Sequence, residues 1–84
     1  KRAVKRLLVE VPLDPEGDQT SALVERVFSL LCEHRGDVPF IFRLKGSGGS
    51  VEVTFPEMAT QYSPQLDQQI RSLLGQGRLN VEWA

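Results

Sequence analysis

The sequence predicts a two-layer α+β sandwich, and three observations carry that prediction. Four short stretches alternate apolar and polar residues with period two. Two longer stretches repeat apolar residues at helical spacing. Gly, Pro and Ser clusters separate them in the order β-α-β-β-α-β. Each strand offers one strongly apolar side, so both helices are expected on the same face of a four-stranded, mainly antiparallel sheet. The ferredoxin-like arrangement is the simplest closure of that order, and another strand order is its competitor.

The first strand spans Arg6 to Val11, with Leu7, Val9 and Val11 on one side and Leu8 and Glu10 on the other. Lys1 to Lys5 read as the end of a linker, and the lack of an initial Met as the mark of a piece from a longer chain. Pro12, Asp14, Pro15, Glu16 and Gly17 then interrupt regular structure. From about Thr20, Leu23, Val27, Leu30 and Leu31 form a helical stripe that Val24 and Phe28 widen. Gly36 is expected to stop this helix as a left-handed cap.

Val38 to Leu44 reads as the second strand, with Phe40, Phe42 and Leu44 on its core side. Pro39 near its start suits an edge strand best. Gly46-Ser47-Gly48-Gly49-Ser50 makes a short turn, so the third strand, Val51 to Phe55, completes an antiparallel hairpin with Val51, Val53 and Phe55 inside. Pro56 closes it and Glu57 to Tyr62 is irregular. Ser63-Pro64 opens the second helix as N-cap and first helical residue. Leu66, Ile70, Leu73 and Leu74 are its apolar face, and Gly75 and Gly77 end it. Leu79, Val81 and Trp83 alternate with Asn80 and Glu82 in the last strand.

With 84 residues, the chain makes one domain. A domain of this size buries only about 60% of the surface its unfolded chain exposes, which leaves little room for both a core and a deep cleft. The formal net charge of −1 differs from the basic surplus of a free-standing duplex-DNA binder. The single cysteine, Cys32, has no internal disulfide partner and suits a reducing, cytoplasmic setting. No apolar run reaches the length of a membrane span.

Residues that could carry chemistry are scattered. Cys32 and the only histidine, His34, stand two apart in a helical stretch and do not share a face. This disfavours both a metal site and a Cys–His nucleophile. Asp14 and Glu16 fall in a loop, and Glu10, Glu52 and Glu82 on the polar sheet face, without an apolar pocket to raise a carboxyl pKa. The glycines at 46–49 join two strands, whereas a phosphate cradle needs a following helix. The expectation is a segment without catalytic residues, cofactor, metal or small-molecule substrate.

The same element order occurs in RNA-recognition modules, which stack bases on aromatics of the open sheet face. Here that face is expected to carry Leu8, Glu10, Ile41, Arg43, Glu52, Thr54, Asn80 and Glu82, none of them aromatic. Nucleic-acid contact would fall to the basic Lys1, Arg2, Lys5 and Arg6. A regulatory or dimerising domain pairing through an edge strand is a further alternative. The residues that best suit a macromolecular partner are Met58, Thr60, Gln61 and Tyr62 in the irregular segment, and Trp83 near the last residue.

Several stretches resemble the extreme C-terminal domain of the bacterial DNA polymerase III alpha subunit, from about Arg6 onward. Arg35-Gly36-Asp37-Val38-Pro39-Phe40-Ile41 is similar to that family's H-x-G-D-x-P-V lead into a strand. Gly49-Ser50-Val51-Glu52-Val53-Thr54-Phe55 resembles its next strand, and Tyr62-Ser63-Pro64 with Leu66, Ile70, Leu73, Leu74 and Gly75 resembles its second helix. Arg78-Leu79-Asn80-Val81-Glu82 resembles the closing strand. Thr60 and Gln61 depart from the family, which often has an aromatic and a basic residue there. The resemblance implies a domain that binds the clamp-loader tau subunit, in a parent chain that is a DNA-directed DNA polymerase whose catalytic aspartates lie far upstream.

Overall fold

The computed structural model describes residues 3–13, 18–75 and 77–84, with the side chains of residues 18 and 19 left aside. The expected break at Asp14, Pro15, Glu16 and Gly17 lies outside the described residues, as do Lys1 and Arg2. The elements are β1 (Val4–Pro12), α1 (Asp18–Glu33), β2 (Arg35–Val38), β3 (Phe40–Gly46), β4 (Gly49–Thr54), α2 (Pro64–Leu74) and β5 (Leu79–Trp83). No described helix is long and apolar enough to cross a membrane.

Alternation in the sequence becomes burial in the sheet. Leu7, Val9 and Val11 of β1, Phe40 and Phe42 of β3 and Leu79 of β5 are buried. They form one core with Val27 and Leu31 of α1 and with Leu66 and Ile70 of α2. All four phenylalanines meet there: Phe28, Phe40, Phe42 and Phe55 have ring centroids 5.0–6.1 Å apart in tilted and edge-on pairs, geometries that the ring quadrupoles favour. The other side of the sheet is ionic. Arg43 reaches Glu52 at 2.7 Å and Glu10 at 3.8 Å, and Arg6 reaches Glu82 at 2.8 Å.

The α+β class, the four-stranded sheet and its two helices follow expectation; the strand order does not follow the ferredoxin-like closure. The order is β4-β3-β1-β5. A ferredoxin-like sheet splits its first β-α-β unit with an inserted strand. Here β1 and β3 lie side by side and parallel, in the register Leu7↔Phe40, Val9↔Phe42 and Val11↔Leu44. Both remaining pairings are antiparallel. Face alternation is the same for either order, which is why the strand pattern alone cannot choose between them.

Local expectations are corrected at five places. β1 begins at Val4, inside the expected linker end, and an irregularity between Val4 and Arg6 changes its register against β5. Such a bulge lets Val4, rather than Lys5, turn to the core side. β1 also runs through Pro12, which pairs with Lys45 at its last position. β3 is interior rather than an edge. Pro39 stands just before it, so its missing N–H removes no bond from β3, and its carbonyl accepts from Leu7 N at 3.0 Å.

The remaining two corrections concern Gly36 and Val51. Gly36 is not a left-handed cap, because α1 ends at Glu33 and Gly36 belongs to β2 without a positive φ. A Cβ at Gly36 would stand 2.7 Å from the carbonyl oxygen of Thr60, so close backbone approach is what demands glycine there. Val51 lies on the core side of β4 but is 59% exposed, having run past the area that the helices cover.

Candidate functional site

The segment after β4 is fixed to the end of α1 before it reaches α2. Thr60 is fully buried, with its Oγ1 2.7 Å from the carbonyl of Leu31 and 2.8 Å from that of His34. Its single proton is shared between two carbonyls at the end of α1, one of which, that of Leu31, also accepts from His34 N at 3.3 Å. Gln61 N donates to the same His34 carbonyl at 2.6 Å, and Thr60 bridges Arg35 and Val38 of β2. Thr60 therefore anchors the segment and offers a partner no surface, which corrects its expected place among contact residues.

This anchor delivers the chain to α2. Ser63 is extended and its Oγ accepts from Leu66 N at 3.1 Å, while Pro64 takes the first helical turn. The N-cap and the missing proline donor together meet two needs of the helix start. At the other end Gly75 has φ 105 and its N–H bonds to the carbonyl of Arg71, which closes the last turn.

Tyr62, one residue before the N-cap, meets Trp83 at the end of β5. Their ring centroids are 6.0 Å apart at 82°, an edge-on pair. Tyr62 is half-buried and Trp83 is 41% exposed, so one ring is seated while the other faces solvent. The Tyr62 hydroxyl donates to Asp67 Oδ2 at 2.6 Å. Arg71 Nε, one helical turn on, donates to Asp67 Oδ1 at 2.6 Å. Tyr62, Asp67 and Arg71 thus form a linked chain along the first turns of α2, with Trp83 against its aromatic end.

Electrostatics follows from that chain. Burial, assisted by the hydrogen bond to Asp67 and by its charge, pushes the Tyr62 hydroxyl up to about 12. Burial alone would raise the Asp67 carboxyl, but the hydrogen bonds from Arg71 and Tyr62 and the charge of Arg71 outweigh it and hold the carboxyl below its usual range. The hydrogen bond to Asp67 likewise raises Arg71. At neutral pH the site is a neutral phenol on a paired carboxylate.

Of the sequence-derived candidates, Tyr62 and Trp83 come together, and Gln61, with an exposed side chain, precedes Tyr62 in the chain. Met58 is 38% exposed and lines a separate depression with Cys32, Arg35, Gly36, Glu57 and Ala59. Asp67 and Arg71 were missed. Their i,i+4 spacing directly after Tyr62-Ser63-Pro64 is the signal that marks them. Of the basic group, Lys5 is exposed, while Arg6 is held by Glu82. Among the described residues no three of His, Cys, Asp or Glu stand close enough to hold a metal ion.

No protein-family model matches the chain, and no curated protein sequence matches it either.

Proposed function

We propose that this chain is a non-catalytic, cytoplasmic protein-interaction domain of a bacterial replicative DNA polymerase, tethering the polymerase to the clamp-loader tau subunit during replication. The observation that carries the reading is the Tyr62–Trp83 pair, a half-seated aromatic edge at the surface. Tyr62 opens one of the segments that resemble the polymerase III alpha C-terminal domain, and Trp83 directly follows another, Arg78 to Glu82.

The physical case is one of pre-organisation. Tyr and Trp are enriched among residues that dominate binding energy. A side chain already held in place loses little rotamer freedom when a partner docks. Tyr62 is held at both ends, by Trp83 at the ring and by Asp67 at the hydroxyl. A peptide or helix from tau laying an apolar residue against Trp83 would find that surface ready-made.

Calorimetric titration of the domain with the C-terminal region of a tau subunit from the same source tests this. Saturable binding is expected, with Trp83→Ala weakening it by about 2 kcal/mol, roughly 30-fold. Circular dichroism establishes that the variant remains folded. A folded wild-type domain that gives no heat with tau at moderate salt sinks the reading.

A further inference from the structure

Among the described residues, the outer edge of β4 pairs with no other strand, and an apolar side chain stands beside it. β3 and β4 are joined through Ser47 and Gly48, with Gly46 and Gly49 directly paired. A two-residue connection makes that flanking pair a hydrogen-bonded one, and bonded pairs then alternate along the ladder. Residues 51 and 53 therefore turn their N–H and C=O groups towards β3, in the pairs Leu44↔Val51 and Phe42↔Val53. Ser50, Glu52 and Thr54 turn theirs outward, and among the described residues no strand pairs with that side of β4. The devices that usually protect an edge are scarce: β4 has no proline, no bulge and one charge, Glu52. Val51 and Leu13, 59% and 42% exposed, line one depression beside this strand.

We propose that β4 pairs antiparallel with β4 of a second copy of this chain, about a two-fold axis at Val51, joining two four-stranded sheets into one of eight. The strand's own sequence is compatible with pairing to a second copy of itself and favours this register over those centred on Glu52 or Val53. Centring the axis on Val51 sets Val51 against itself in a non-bonded pair, where side chains approach most closely. It sets Ser50 opposite Glu52 of the other copy, so both bonded pairs form and the serine hydroxyl faces a carboxylate. Arg43 already neutralises that carboxylate at 2.7 Å. Centring on Glu52 would oppose two like charges. Centring on Val53 would bring the other copy's Ser50 against Pro56, which has no N–H to give. An edge of six residues covers less than the surface of a standard interface, so the dimer is a weak one that grows with concentration.

Sedimentation velocity over a rising concentration series tests the pairing with three proteins. The wild type is expected to shift from monomer towards dimer. Val51→Lys places two ammonium groups against each other at the axis and is expected to stay monomeric. Ser50→Pro removes an N–H that pairs with no described strand of the same copy and is also expected to stay monomeric. Circular dichroism and thermal melting establish that each variant is folded, and Val51→Lys decides alone if Ser50→Pro is not. A wild type that remains monomeric into the millimolar range overturns the proposal. So does a folded Val51→Lys protein that dimerises as the wild type does.

Discussion

Tyr62 is the only tyrosine in the chain, so its ionisation can be followed without interference from another phenol. Burial and the neighbouring Asp67 carboxylate raise its pKa from the ordinary 10.0 to about 12. A group whose native pKa is raised binds its proton more tightly in the folded state. Its contribution to stability is complete below the unfolded value of about 10. That contribution is lost as pH rises through about 12. Tyrosinate absorbance measured against pH is expected to show a midpoint well above that of a free phenol. Tyr62→Phe, which cannot ionise, is expected to remove this part of the alkaline loss of stability. A midpoint near 10 would show that the bond to Asp67 does not hold in solution.

Among the elements, the junction of α1, β2 and the segment before α2 depends on one hydroxyl. Thr60→Val keeps the shape but leaves the carbonyls of Leu31 and His34 without their side-chain donor. Both carbonyls keep a backbone donor, His34 N on Leu31 and Gln61 N on His34, so a loss of about 1 kcal/mol is expected. Urea unfolding followed by the fluorescence of Trp83, the only tryptophan, should show a lower midpoint with unchanged slope. This junction is also where the sequence was least legible. The helical stripes and strand alternations of α1, α2, β1 and β5 could be read directly, because periodicity reports which face is buried. β2 could not, because its four residues are defined by bridges to Thr60, a contact between segments far apart in sequence. At Gly36 the sequence shows a glycine after a helix, while the structure shows a backbone that leaves no room for a Cβ. Tyr62 and Trp83 were each visible as amphipathic residues at the ends of elements. Their meeting depends on which strand borders α2, and that is a fact of strand order.

For the whole molecule, strand order has a consequence for binding. Trp83 stands on β5 and Val51 on β4, at opposite edges of the sheet. Neighbouring strands are spaced about 4.8 Å apart, so β1 and β3 between them separate the two edges by roughly 14 Å. Changes that far apart without shared partners act additively to within a few tenths of a kcal/mol. The Tyr62–Trp83 pair and the β4 edge should therefore behave as independent surfaces. Val51→Lys is expected to leave the affinity for tau unchanged when titrated at concentrations where the wild type is monomeric. Trp83→Ala is expected to leave self-association unchanged. The double variant should lose both properties by the sum of the single effects. If Val51→Lys instead weakens the tau complex, tau reaches around the sheet or adds a strand to β4, and the partner surface is then larger than the aromatic pair. Calorimetry on the four proteins of this cycle, with sedimentation on the same samples, separates those two arrangements.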